Sequence, residues 1–285
     1  ASLGSCCGVD DLRAIIKAKH LCQEMGLDPI STGITISCGM EMFERGLIPE
    51  NETEIALKFG DAQVMLEMVK LMGQRRGFGN VLAEGACRLA EKYGHPEIFM
   101  GVKGQECPPC DPRGIQGLGL QYATANNGAC YETGYTIIEE VLGLHDEVAP
   151  REIEGKAALV KYMQDLGAML DSAGVCHRML FSGMSTIEVF AAMEMVAAAG
   201  LNDTELLQVG ERVFNMERLF NTKAGLKVED DTLPKRMLEE PLIEGRAKDQ
   251  VSRLNDMLPE YYRLRGWDDA GQPTPETQAK LGFGE

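Results

Sequence analysis

Aromatic side chains make up only 6% of this 285-residue chain, with a single Trp. No run approaches the roughly 20 apolar residues that a membrane helix needs, so no membrane partner is expected. Basic residues are scarce: 28 Lys and Arg face 44 Asp and Glu, for a formal charge of −16. That balance excludes a phosphate-backbone partner, because nucleic-acid binding is dominated by Lys and Arg. No signal-peptide pattern opens the chain, which therefore reads as cytoplasmic. Nor does a second Cys-x-x-Cys or a His pair accompany Cys107-Pro108-Pro109-Cys110 to complete a tetrahedral zinc site.

What is present points to helices. The apolar fraction is ordinary at 44%, and 16 Met with few aromatics favour helical packing. The length allows one large or two ordinary domains. Nine cysteines, an odd number at irregular spacing, do not form a disulfide framework; most read as buried thiols, with a metal or redox role for a minority. The start at Ala1 without an initiator Met is what a piece of a longer polypeptide would show.

Periodicity places a helix over 10–25, capped by Asp10 or Asp11, with Leu12, Ile15, Ile16 and Met25 near helical spacing. Asp28-Pro29-Ile30-Ser31-Thr32-Gly33 reads as a second cap, before an apolar helix that ends near Gly46. Further helices are expected over 53–72 and 80–93. Residues 94–104 read as a short strand between breakers, followed by a Pro- and Gly-rich loop. The domain boundary is placed there, giving 1–100 and 101–285. Helices resume over 156–170 and 204–220, and the tail reads as a helix, a turn at 266–271 and a Pro-initiated helix after Thr274. The expected fold is mainly α, with two multihelical domains sharing a cofactor cleft and a few short strands.

One short pattern occurs twice, as Gln23-Glu24-Met25-Gly26-Leu27-Asp28 and as Asp171-Ser172-Ala173-Gly174-Val175-Cys176. Each copy ends a helix in Gly, an apolar residue and a ligand-type side chain. A Gly at a helix C-terminus takes the left-handed conformation and turns the chain sharply, which suits a cofactor held between two equivalent loops. Cys176 is the residue type that iron–sulfur clusters require. Each residue also has a plainer use: Asp28 and Asp171 as helix caps, Cys176 as a packed thiol, Tyr131 as a packing residue.

With those residues in place, the chain resembles the C-terminal half of the tungsten-containing aldehyde:ferredoxin oxidoreductase family. Further matching stretches are Cys7-Gly8-Val9-Asp10-Asp11-Leu12, Val102-Lys103-Gly104, Asp111-Pro112-Arg113-Gly114, Tyr122-Ala123-Thr124-Ala125-Asn126, Gly128-Ala129-Cys130, Glu217-Arg218-Leu219-Phe220-Asn221, Asp230-Asp231-Thr232-Leu233-Pro234 and Tyr261-Tyr262-Arg263-Leu264-Arg265-Gly266-Trp267-Asp268. The resemblance implies parts of the family's second and third domains, without its N-terminal sheet domain. It implies a tungsten bis-pterin (molybdopterin-type) cofactor and a [4Fe–4S] cluster. It assigns Gln23, Leu27, Asp28, Asp171 and Val175 to the pterins and Cys176 to the cluster, whose other three ligands are expected upstream of Ala1. A carboxylate such as Asp28 or Asp171 accepts hydrogen bonds from pterin N–H groups better than a neutral acceptor does. The implied activity is oxidation of an aldehyde to a carboxylic acid, with ferredoxin or a similar carrier as electron acceptor.

Three residues depart from the family pattern. Tyr131 stands where the family has a proton-transfer His, and a phenol with a pKa of roughly 10 is a poorer base than an imidazole near 6.5. Tyr131 is the candidate catalytic residue, and its identity leaves room for another carbonyl substrate, such as an activated aromatic acid. Gln23 opens the first motif where Asp is usual. Lys17, three residues before His20, replaces the Glu of a dimer-bridging metal pair, so no bridging metal is expected, while a homodimer stays compatible with the sequence. A non-catalytic helical module is the competing reading; the presence of Asp28, Asp171 and Cys176 argues against it.

Overall fold

Three aspartates standing just ahead of apolar segments start the long helices of the first half. Asp11, Asp28 and Asp61 each accept, through Oδ1, from the backbone N–H groups two and three residues on, at 2.7–3.2 Å. These bonds cap α1 (Leu12–Glu24), α2 (Pro29–Glu44) and α3 (Ala62–Gln74), each contributing about 1 kcal/mol. The computed structural model describes residues 1–143, 148–182, 185–197 and 200–283. Among these residues lie thirteen α-helices and one two-stranded sheet, so the mainly α class expected from periodicity is what is found. None of the described helices is long and apolar enough to cross a membrane.

The chain divides into two units, Ala1–Cys110 and Asp111–Glu285. In the first unit, α4 (Gly77–Leu82) and α5 (Ala86–Lys92) follow α3, and then comes the hairpin β1 (Gly101–Val102) and β2 (Gln105–Glu106), paired Gly101 to Glu106 and Val102 to Gln105. The Glu106 carboxylate accepts from Ala86 N–H at 2.8 Å and Thr35 Oγ1 at 3.3 Å, fastening the hairpin to α5 and α2. For that reason the division falls after the hairpin, at Cys110, and not at 100/101.

Several details differ from the sequence expectation. The helix expected over 53–72 begins only at Ala62, where Asp61 caps it. The one expected over 80–93 is interrupted at Gly85, which adopts φ +92°. The strand expected over 94–104 is a 3-10 turn at Pro96–Ile98 followed by the hairpin. On α1 the buried face is Ala14, Ala18 and Cys22, whereas Leu12 and Ile16 are 66% and 59% exposed. Small side chains form the seam there, so apolar size alone misplaced the inward face.

The second unit contains α6 (Gln116–Thr124), α7 (Ile137–Glu140), α8 (Lys156–Ser172), α9 (Thr186–Ala197), α10 (Asp203–Lys223), α11 (Lys235–Glu239), α12 (Leu254–Arg265) and α13 (Pro275–Leu281). Every residue of α6 is buried. Helix α10 crosses α8 so closely that a Cβ added at Gly210 would overlap the Asp165 carbonyl oxygen. Asp165 also pairs with the buried Arg265 of α12, and Arg218 of α10 forms a two-bond pair with Asp231 at 2.7 and 2.8 Å. Removing one member of such a buried pair costs about 3–5 kcal/mol, because a charge is left uncompensated. Arg218 lies 4.6 Å from the Trp267 ring, against which Phe214 stacks at 6.4 Å.

Ala in place of Gly normally stabilises a helix by roughly 0.5–1 kcal/mol. Gly210→Ala is expected to do the opposite, lowering the unfolding free energy by about 1–3 kcal/mol through overpacking. Urea denaturation of the chain reads the sign directly, and a stabilised variant would contradict the close crossing.

Candidate functional site

The two repeated motifs fold into the same turn. Gly26 and Gly174 take φ +69° and +70°, and the next N–H reaches back to the carbonyl five residues earlier: Leu27 to Cys22 at 2.8 Å, Val175 to Leu170 at 2.9 Å. Leu27 and Val175 are partly buried against the hydrophobic cores of their own units, as the apolar residue of such a helix stop usually is. That backbone shape is not peculiar to the pair. Helix exits at Gly46, Gly94, Gly225, Gly266 and Gly282 make the same long return bond, at 2.9–3.1 Å. At the exit of α12 the string Arg263-Leu264-Arg265-Gly266-Trp267-Asp268 even repeats the Gly, apolar, Asp order. Chemical distinction therefore rests on side chains.

In the first unit Gln23 and Asp28 are exposed beside their turn. Asp28 caps α2 through Oδ1, with bonds to Ile30 N–H at 2.9 Å and Ser31 N–H at 2.7 Å; no bond involves Oδ2 among the described residues. The capping use weighed from sequence is real for Asp28.

In the second unit the turn opens onto a cleft of about 620 Å³ lined by Asn126, Asn127, Thr133, Asp171, Phe214, Met216, Glu217, Phe220 and Asn221. Three of the stretches that carried the family resemblance meet here: the end of the Tyr122 stretch, the second motif, and the Glu217 to Asn221 segment of α10. The Asp171 side chain is exposed and makes no hydrogen bond with a described residue; only its backbone carbonyl is bonded, accepting from Gly174 N–H at 3.0 Å. Asn126 is clamped to α10, its Nδ2 donating to the Phe214 carbonyl at 3.0 Å and Glu217 Oε2 at 3.1 Å, while its own carbonyl accepts from Asn221 Nδ2 at 2.6 Å. Both acceptors sit on Nδ2, so Oδ1 is fixed as an acceptor; it and Thr133 Oγ1 are buried without a hydrogen-bond partner among the described residues.

The lining is thus rich in acceptors, carries two carboxylates, and includes no Lys, Arg or His among the described residues. Phe214, Met216 and 71%-exposed Phe220 add an apolar wall. This acceptor set fits a flat ring that presents N–H groups, as the aminopyrimidine edge of a pterin does, and disfavours an anion.

Tyr131 and Cys176 come near each other through their neighbours. The Tyr131 ring meets Tyr135 edge-on at 5.2 Å, and Tyr135 packs on His177 at 5.4 Å. Burial holds His177 below its ordinary proton affinity, with the carboxylates of Glu132 and Asp171 opposing, and its Nε2 has no partner among the described residues. Cys176 is exposed, and among the described residues no three His, Cys, Asp or Glu side chains converge on one metal position. Sequence reading gave no role to Asn126, Thr133, Glu217, Phe220 or Asn221, although the stretches holding Asn126, Glu217, Phe220 and Asn221 had been singled out. The clamp that joins them spans 88–95 residues and leaves no local pattern.

Residues 1–283 match the family model described as aldehyde ferredoxin oxidoreductase, domains 2 and 3. The chain is 43% identical over 288 residues to the tungsten-containing aldehyde ferredoxin oxidoreductase of Pyrococcus furiosus, covering all of this chain and 47% of that protein. It is likewise 43% identical over 290 residues to the protein of that name from Pyrococcus abyssi, covering 100% and 48%. The chain thus spans about half the length of the curated relatives it matches. Among solved structures, the active-site complex BamBC of benzoyl coenzyme A reductase with 1,5-dienoyl-CoA aligns with a TM-score of 0.67 at 19% identity, over 90% of this chain and 44% of that one. At that identity the likeness is one of fold.

Cys176 is exposed, whereas burial pushes Cys7 up to about 12. At pH 8 Cys7 holds almost no thiolate, the reactive form. Iodoacetamide treatment of the folded chain followed by peptide mass spectrometry should label Cys176 first and leave Cys7 unmodified until the pH nears 12. Early labelling of Cys7 would mean that the seam around it opens.

Proposed function

Because the chain belongs to the aldehyde ferredoxin oxidoreductase family, matching its domains 2 and 3, we propose that it forms the cofactor-holding half of a cytoplasmic tungstopterin oxidoreductase that converts aldehydes to carboxylic acids and passes electrons to ferredoxin. The observation that carries this reading is the acceptor-rich cleft beside Asp171, which holds no Lys, Arg or His among the described residues.

When bound, the tungstopterin supplies Lewis acidity and two-electron chemistry, and a [4Fe–4S] cluster passes the electrons on singly. Asp171 accepts hydrogen bonds from pterin N–H groups, and a charged acceptor makes these bonds roughly twice as strong as a neutral one would. Gln23 and the Oδ2 of Asp28 do the same at the first turn, where the neutral amide of Gln23 gives the weaker grip. Leu27 and Val175 seat the two turns by packing into the cores beneath them. Cys176, exposed at the end of the second turn, is the thiolate ligand offered to the cluster; its remaining ligands come from outside this chain. Tyr131 engages the substrate oxygen through its hydroxyl. Phe214, Met216 and Phe220 exclude water from one side of the cleft.

A second reading within the family is favoured by one residue. Tyr131 in place of a His base suits a carbonyl substrate other than a simple aldehyde, such as an activated aromatic acid.

Metal analysis of the full-length protein tests the assignment. Tungsten and iron should copurify with it, and the visible spectrum should show the broad iron–sulfur absorbance. Asp171→Ala should lower tungsten and pterin retention about tenfold or more, as expected for losing charge-assisted bonds of roughly 1.5–3 kcal/mol. Cys176→Ser should remove the cluster absorbance. A full-length protein free of tungsten, molybdenum and iron would leave the non-catalytic module.

A further inference from the structure

Resting on that reading of the site, we propose that His177 tunes the iron–sulfur cluster: its Nδ1–H is the hydrogen-bond donor presented to the sulfur atoms at the Cys176 corner, and it raises the potential at which the cluster takes up an electron.

The backbone on both sides of Cys176 and His177 is pinned. Val175 N–H reaches the Leu170 carbonyl at 2.9 Å, and Met179 N–H reaches the Cys176 carbonyl at 3.0 Å. The imidazole is pinned as well. It lies against the Tyr135 ring at 5.4 Å, tilted by 34°, and borders a cavity of about 10 Å³ whose other walls include Ile138, Met163, Leu166, Leu170 and Leu180. Nε2 is buried without a partner among the described residues, whereas Nδ1, equally unbonded among them, is not enclosed. The ring thus has a dry end and an open end.

This asymmetry selects the tautomer. Against aliphatic side chains, an N–H at Nε2 would be a buried donor with nothing to accept it, and orphaned buried N–H groups are rare in folded proteins. The neutral ring therefore carries its hydrogen on Nδ1, at the open end. Successive Cα atoms are about 3.8 Å apart, which keeps that donor close to whatever Cys176 binds. The turn offers no ready substitute. From 174 to 180 the other side chain bearing N–H groups is that of Arg178, and it is paired with Glu132. Carboxylates stand at the same turn, since Glu132 lines the cavity and Asp171 opens the motif. Negative charge disfavours electron uptake, and a donor to cluster sulfur offsets it by stabilising the more negative, reduced state.

The test is a redox titration of the full-length, iron-loaded protein, with the reduced cluster followed by electron paramagnetic resonance so that turnover does not enter. His177→Phe keeps a ring against Tyr135 and removes both nitrogens. It should make reduction of the cluster about tenfold less favourable, equivalent to a fall of roughly 59 mV for a one-electron couple. Two amides then locate the donor, because the side-chain nitrogen of Asn falls where Nδ1 stood and that of Gln where Nε2 stood. His177→Asn should keep a potential close to that of the unaltered protein, while His177→Gln should behave like His177→Phe. Unchanged potentials in all three variants, equal falls in all three, or recovery by Gln in place of Asn would overturn this inference alone. So would loss of the cluster from all three, which would make His177 a structural support of the turn. A full-length protein that binds no iron would overturn the functional reading and this inference with it.

Discussion

The close crossing of α8 and α10 is the constraint on which the second unit depends. Helix α8 delivers Asp171, the second turn and Cys176, while α10 delivers Phe214, Glu217, Phe220 and Asn221 to the same cleft. Their register is set where Gly210 meets the Asp165 backbone, and Asp165 is in turn held by Arg265 from α12. A shift along that seam would move one wall of the cleft against the other. The buried ion pairs act in the same sense: Arg218 with Asp231 and Tyr262 fixes the far face of α10 while the Trp267 ring covers it. The face of α10 away from the cleft is thus fixed by a buried ion pair under the Trp267 ring, while the cleft face carries Glu217 and Asn221 among apolar side chains.

The helices were legible in the sequence where a local signal sufficed. Asp11 and Asp28 sit at the caps expected of them, and the helices ending near residues 25, 46 and 172 stop at or just before glycines that turn the chain. The failures share a cause, which is distance along the chain. Gly85 breaks what reads as one helix because Glu106, twenty residues later, caps the N–H of Ala86. Leu12 and Ile16 looked like an inward stripe, but the neighbouring helix accepts only Ala14, Ala18 and Cys22, and a one-helix pattern does not contain that information.

The site was legible unevenly for a related reason. Asp171 and Cys176 could be picked out because they flank a glycine in a short repeated string, and Tyr131 only through the family resemblance. The clamp around Asn126 could not, since its meaning arises only when α10 lies beside the loop after α6.

The helix exits at residues 23–28, 171–176 and 263–268 share a backbone and differ in their opening side chain, which is an amide, a carboxylate and a guanidinium in turn. One peptide scaffold thus presents a neutral, an anionic and a cationic side chain at the same place within a single polypeptide. The charge at such a corner is set by one side chain, while the backbone turn beneath it is common to all three.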